Sequence, residues 1–563
     1  VRSVAGGPTA ILVGILLFAV LVRFVGIGRE LPYRMEPDAS LVFQMQRMAG
    51  DPSLVPRDHT TGPYPLVLAR VLSWLPQPEV PARVEGPGDE RTHLARSARP
   101  FLLVRVVVAL FSIAGVLLAY PFARRFLPPG GALVATWFAA TSLLSVLFAG
   151  QARPHPVQAT FAILALLLAL RVLEAPSLGR IALAALASLA AICALQNGVF
   201  TVPPLLLAIL LAGRASKGSF ARCAIVGAVA VATALLVFPG LPRIDAQGIH
   251  LGSDETGAHT IHPSLSSLVG LAKAARMLWE FDPVLTVLAV IGAPIAIAAW
   301  RRTKRREVWI VLAYAVPYVA ILAVDPNVQE RFLLPLVPML ACLAAASFAT
   351  ALGAVRARAG AAAAAVAAVL LLGGPAIAAT LYARTAARPD NYAIAADWIR
   401  AHVKPDERVL SSPGAVLPVL IEREALREDE ADQSWLANPW LIYQTLLSGN
   451  EVGDPRWRIF FVRLSEWRQG RTLDFERARA LIEERRADYV LVEDSVRMHK
   501  YFPIDELERA ASESGELVHW TSGTIPGPTD GLIFEYSGTR ELACRILTAD
   551  AFGPGIRIYR IRR

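Results

Sequence analysis

The strongest constraint on this chain is the recurrence of apolar runs long enough to cross a lipid bilayer. A bilayer core requires about 20 predominantly apolar residues per helix. Such runs lie at roughly 9–27, 101–120, 131–149, 157–173, 180–196, 198–212, 223–239, 283–300, 307–324, 331–350 and 360–381. The sequence therefore predicts a mainly α, polytopic membrane protein with about eleven transmembrane helices. Hydrophobic residues make up 54% of the chain and charged residues 18%, which excludes an ordinary soluble enzyme. Mean hydropathy is +0.45.

The formal net charge of +9 does not signal nucleic-acid binding, because the basic residues are placed as membrane topology requires. One set of connectors holds Arg124 and Arg125, Arg171 and Arg180, Arg214 with Lys217 and Arg222, the run Arg301 to Arg306, and Arg356 with Arg358. The alternate connectors are nearly free of Lys and Arg, with Arg153 and Arg331 the exceptions. The positive-inside rule makes the basic set cytoplasmic. This puts the N-terminus inside and the C-terminal segment outside the cytoplasmic membrane. Near the N-terminus, Arg2 precedes an apolar stretch, Ala10 to Val22, as in a signal peptide. No small-residue cleavage site follows, so the stretch reads as an uncleaved first helix. The 4 cysteines show neither metal spacing nor paired thiols.

These runs divide the chain into a membrane region, 1–383, and a soluble C-terminal domain, 384–563. Two long outer loops, 28–100 and 240–282, interrupt the membrane region. In the first, Leu41 to Met48 and Leu66 to Leu75 have helix-like apolar spacing suited to the membrane surface. Beyond Arg384 the pattern alternates. Tyr392 to Arg400, Phe475 to Arg486 and Ile504 to Glu513 read as helices. Arg408 to Ser411, Arg458 to Val462, Tyr489 to Val492 and Ile556 to Ile561 read as strands. The expectation is a compact α/β domain.

Candidate chemistry gathers in the outer connectors. Glu36-Pro37-Asp38 holds two carboxylates across a proline just beyond the first helix. From the residues alone Asp38 is either a helix N-cap or a general base. Arg153 and His155 sit together in the connector 150–156, and Glu330 with Arg331 opens the tenth span. Arg153 and Arg331 are candidates for binding a phosphate or for snorkelling to lipid headgroups, and His155 for substrate binding or for capping a helix. Histidines in long loops (His59, His259, His262) are more commonly solvated, and Asp245, Asp254 and Asp282 have no distinguishing spacing.

Several motifs, in order, resemble the C-type glycosyltransferase superfamily, in particular its protein O-mannosyltransferase and aminoarabinose transferase group. They are Arg23-Phe24, Pro37-Asp38, Gly50-Asp51-Pro52, Tyr64-Pro65-Leu66, Leu103-Val104-Arg105 through Arg124-Arg125-Phe126, and Glu330-Arg331-Phe332-Leu333-Leu334-Pro335-Leu336-Val337-Pro338. The resemblance covers about residues 10–400 and implies a polyprenyl-phosphate sugar donor, an envelope glycan, glycolipid or protein acceptor, and inversion at the anomeric carbon. It gives Asp38 the role of general base, with Glu36 beside it. It favours a phosphate-binding role for Arg331 with Glu330; Arg153, His155, Gln196, Asn197 and His59 complete the candidate substrate-binding residues by their positions at the outer side. The chain departs from the family pattern at Ala39, where a second acidic residue is common, at the connector containing His155 and Gln158, and at Gln196-Asn197-Gly198, where a Lys-Tyr pair is frequent. One firm carboxylate makes a poor cation site, so no divalent metal is expected to be essential. Two other readings are a transporter or flippase of lipid-linked saccharides, and a membrane protein that binds envelope glycans without catalysis.

Overall fold

The computed structural model describes residues 7–29, 31, 87–213, 216–237, 243–245, 248–250, 260–261, 268–325, 328–412, 415, 417–422, 424–426, 456–462, 474–494, 504–525, 549 and 551–562. The chain divides into two compact units, the first built mainly from Val1–Phe24 and Val104–Thr380, the second mainly from Leu75–Leu103 and Leu381–Arg563.

Helices dominate the first unit: α1 (Gly7–Phe24), α2 (Pro87–Ala123, entering from the second unit), α3 (Pro129–Thr141), α4 (Leu143–Ala149), α5 (His155–Glu174), α6 (Leu178–Ala194), α7 (Val202–Ala212) and α8 (Lys217–Val237). Three short strands, β1 (Arg243–Asp245), β2 (Gly248–His250) and β3 (Thr260–Ile261), form an antiparallel sheet. Then come α9 (Val269–Phe281), α10 (Pro283–Thr303), α11 (Glu307–Val324) and α12 (Val337–Ala386). Among the described residues, 6 helical runs are long and apolar enough to cross a membrane, or 7 when the bent pair α3–α4 counts as one span. Three further apolar helices are shorter. This is a multi-pass membrane protein. The last run contains Gly360 at φ 86, a left-handed conformation that interrupts α12 and that a side chain would strain.

The bend between α3 and α4 departs from the single span expected at 131–149. The two helices meet at 51° around Ser142, whose ψ of 115° takes it out of the helix. A broken helix exposes carbonyls at one end and amides at the other. Here both ends meet a side chain of complementary charge, as helix polarity favours. On the carbonyl side, the buried Arg23 of α1 donates through Nη1 to Ala140 O at 3.0 Å and Ala19 O at 3.3 Å, through Nη2 to Ala139 O at 3.5 Å, and through Nε to Ser112 Oγ at 2.9 Å. On the amide side, buried Asp282, just before α10, accepts from Leu143 N–H at 2.8 Å and from Ser142 Oγ at 2.7 Å. Cation against helix C-terminus and anion against helix N-terminus is the favourable pairing at each end.

The second unit carries α13 (Asn391–His402), β4 (Arg408–Ser411), β5 (Arg458–Phe461), α14 (Phe475–Glu484), β6 (Tyr489–Asp494), α15 (Ile504–Ser514), β7 (Gly515–Thr521), β8 (Gly523–Ile525) and β9 (Ala551–Ile561). They build a 6-stranded sheet in the order β5-β4-β6-β9-β7, with β8 on β9. The β5-β4-β6 portion is parallel, whereas β9 runs antiparallel to β6 and β7. Its apolar strands read as continuous runs because they are buried, as Val409, Leu410, Val490, Leu491 and Val492 show. Arg557 of β9 ties the layers together: its Nη1 donates to both Glu508 oxygens at 2.6 and 2.7 Å and its Nη2 to Asp494 Oδ2 at 2.8 Å. On α13, Trp398 stacks with His402 at 4.8 Å and with His519 at 5.3 Å between ring centroids.

Two predictions arise here. Replacing Asp282 by Ala leaves the Ser142 hydroxyl and the Leu143 amide without their acceptor, and should destabilise the chain by about 2 kcal/mol. Asp282→Asn keeps an acceptor oxygen and should lose about half of that, as measured by unfolding titrations in mixed detergent micelles. The second concerns His519, whose pKa is lowered by burial and then by the neighbouring His402. The unfolded chain therefore takes up this proton at higher pH than the folded chain does. Thermal stability should fall as pH drops below the ordinary histidine range, and His519→Phe should flatten that acid limb.

Candidate functional site

The site is assembled from the two connectors that follow the break. Short α4 runs into Gly150-Gln151-Ala152-Arg153-Pro154, and α5 starts at His155 with Pro156 in its first turn, where a missing amide proton does no harm. Arg153 N–H closes a tight turn onto Gln151 O at 2.8 Å. From the other side a 3-10 turn, Glu330–Leu336, leads into α12 and packs on α4 and α5. Phe332 of that turn lies between two predicted site residues. Its ring centroid is 5.8 Å from that of His155 and 5.5 Å from the Arg331 guanidinium carbon. His155 also stands within electrostatic range of both Arg331 and Arg153.

Burial gives this cluster its character. Arg153 and Glu330 are each 1% exposed, and Arg331 is half-buried. His155 Nδ1, both amide atoms of Gln151 and Gln329 Oε1 are buried with no partner within the protein among the described residues. Buried polar atoms are ordinarily hydrogen-bonded, so unpaired ones near two guanidinium groups are candidates to meet a polar ligand. Two guanidinium groups beside it suit an anion, because planar guanidinium donors match phosphate oxygens.

A second polar tier joins the cluster through α11. Tyr318 is buried and donates to Phe332 O at 2.7 Å, and Asn197 Nδ2 donates to Tyr318 Oη at 3.0 Å. Tyr314 stacks on Tyr318 with centroids 5.5 Å apart. Asn197 belongs to a 3-10 turn, Gln196–Thr201, that lies hard against α6. Gly198 makes that approach possible, since a Cβ there would fall 2.2 Å from Ala191 C and O.

The structure thus brings together Arg153, His155, Glu330, Arg331 and, through Tyr318, Asn197. Gln196 is half-buried on the same turn but makes no side-chain hydrogen bond among the described residues. Glu36, Asp38 and His59 lie outside the described residues. No three His, Cys, Asp or Glu side chains converge as metal ligands among the described residues.

No protein-family model matches the chain, and no curated protein matches it. Solved structures do. The apo oligosaccharyltransferase of Archaeoglobus fulgidus is similar with a TM-score of 0.51 and 12% identity, covering 95% of this chain and 75% of that one. That likeness is one of fold. ArnT of Cupriavidus metallidurans bound to undecaprenyl phosphate aligns over 92% of this chain and 97% of that one, at 16% identity and a TM-score of 0.41.

Tyr314, Tyr318 and Gln329 were not among the site residues expected from the sequence. The signal for the tyrosines was present: they stand four apart, on one face of an otherwise apolar helix. Tyr318→Phe should leave Asn197 and the Phe332 carbonyl each short of a partner, with a stability loss of about 1–2 kcal/mol in detergent unfolding titrations.

Proposed function

We propose that the chain is a membrane glycosyltransferase that moves a sugar from a polyprenyl-phosphate donor to an envelope glycan, glycolipid or protein acceptor. The observation that supports this best is the cluster of buried Arg153 and His155 with half-buried Arg331, gathered at one end of apolar helices. A lipid phosphate arriving from the bilayer meets cationic donors there while its tail stays among apolar side chains. The resemblance in fold to an oligosaccharyltransferase agrees with such chemistry.

In this reading Asp38 takes the proton of an acceptor hydroxyl lying within about 3 Å. The acceptor oxygen forms its bond to the anomeric carbon from the face opposite the phosphate, and the bond from that carbon to the phosphate oxygen breaks. Configuration inverts, and Arg153 and Arg331 stabilise the charge left on the polyprenyl phosphate. Glu36, Glu330, Asn197, Gln196 and His59 line the sugar or acceptor side. Asp38 lies in the loop that follows α1, and Arg23 fastens the end of α1 beside Ala140, close in the chain to the Arg153 connector.

Topology belongs to the same proposal. Taking α3–α4 as one span, α12 as two spans divided at Gly360, and the three short apolar helices as spans gives about eleven crossings. The basic connectors then face the cytoplasm. The Arg153 cluster and the α/β sheet of residues 384–563 face outward from the inner membrane. A transporter more commonly places ionisable groups at mid-membrane.

The test is sugar transfer by the full chain in membrane vesicles supplied with radiolabelled polyprenyl-phosphate sugars and envelope extract. Asp38→Asn should lower transfer at least about 100-fold. Wild-type rates in that variant would remove Asp38 from the mechanism. Movement of intact lipid-linked sugar without a new glycosidic bond would establish a flippase instead.

A further inference from the structure

A second feature runs along three helices, with one end away from the Arg153 cluster. Helices α6, α7 and α8 do not close completely on one another. They leave a cavity of about 340 Å³, lined by Ile181, Ala185 and Ser188 of α6, Val202 of α7, and Arg222 and Val229 of α8. Its size falls in the range of ligand pockets, which begins at about 300 Å³. It opens outward, since Leu178 and Ile225 on its rim are 70% and 65% exposed. Apart from Arg222 and Ser188 the lining is apolar.

Those two polar groups give the cavity its direction. Ser188 is 2% exposed, and its Oγ has no partner among the described residues. A helical serine ordinarily returns its hydroxyl to the carbonyl four residues back, and this one does not. At the other end of the cavity stands half-buried Arg222, which makes no ion pair among the described residues. An apolar trough with a guanidinium at one end matches an amphiphile with an anionic head and an alkyl chain.

The position of Arg222 separates this amphiphile from the proposed donor. Helix α5 has 20 residues and rises about 30 Å from His155 to Glu174. Arg180 Nη1 donates to Arg171 O at 3.1 Å, so α6 starts beside the far end of α5. Leu178 and Arg222 line the same cavity near that end. A lipid whose phosphate sits at Arg153 cannot also place that phosphate at Arg222.

We infer that the α6–α7–α8 cavity is a binding site for one anionic phospholipid of the bilayer, with its phosphate on Arg222, an acyl chain along Ile181 and Ala185, and an ester oxygen accepting from the Ser188 hydroxyl. The site is independent of the transfer chemistry proposed above.

Native mass spectrometry of the full chain, released from nanodiscs of phosphatidylglycerol and phosphatidylcholine, tests this. The wild type should retain one phosphatidylglycerol per chain. Arg222→Gln, a change at a partly exposed position, should lower that retention about fivefold without altering phosphatidylcholine. Ser188→Leu, which fills the cavity, should abolish it, and unfolding midpoints of both variants check that the chain remains folded. The inference is overturned if the wild type retains no phospholipid, if both folded variants retain it at wild-type levels, or if the retained species is a polyprenyl phosphate or a second copy of the chain.

Discussion

The first unit depends on how the break at Ser142 is held. A span interrupted within an apolar environment presents unsatisfied carbonyls and amides where water is scarce, and each is expensive to leave so. Here a guanidinium from α1 meets the carbonyl end and a carboxylate preceding α10 meets the amide end. The two charges are buried, yet neither requires the other as a salt-bridge partner, because each faces the half-helix end of opposite polarity. Three segments distant in sequence are tied to one bend by this arrangement. The residues after the bend supply Arg153 and His155 to the candidate site.

That site inherits its rigidity from the bend and from α11. Arg153 leaves α4 through a tight turn, and His155 stands at the very start of α5. Tyr318 fixes the opposing 3-10 turn by its bond to the Phe332 carbonyl and is itself held by Asn197. Positioning groups therefore reach the cluster from α4, α5, the turn before α7, α11 and the turn before α12. Convergence of short, irregular segments between long helices is how a helical membrane protein brings polar groups to one place while its backbone stays satisfied.

Much of this was legible in the sequence, and the limits have physical causes. Apolar runs of spanning length are an all-or-none signal, so helices such as α5, α10 and α11 fall close to the ranges expected at 157–173, 283–300 and 307–324. Strands β4, β5 and β6 were evident as short β-branched and aromatic runs. The bend at Ser142 was not, because hydropathy measures how apolar a segment is and carries no direction. Its stabilising partners, Arg23 and Asp282, lie far away in sequence. The Arg23-Phe24 motif was noticed without its role, and Asp282 had no spacing to mark it. Strand β7 was missed because its exposed Leu517 and Trp520 break the burial pattern that marks a strand. Arg153, His155, Glu330 and Arg331 stood out because charged residues adjoining apolar spans are rare enough to need a reason.

The helices carry unlike chemistry at their two ends, and the difference follows from where charge can be neutralised. At the Arg153 end, polar atoms are deeply buried, an arrangement that is stable only where a polar ligand or the protein itself supplies partners. Toward the Arg222 end, charge sits at the mouth of an apolar trough and is partly exposed, so it is satisfied by water and headgroups alike. A buried cluster selects among ligands, because an ill-fitting one leaves donors unpaired, whereas an exposed cation at a rim discriminates weakly between anions of similar size. The first arrangement is suited to choosing a substrate and the second to holding whichever anionic lipid the surrounding leaflet provides.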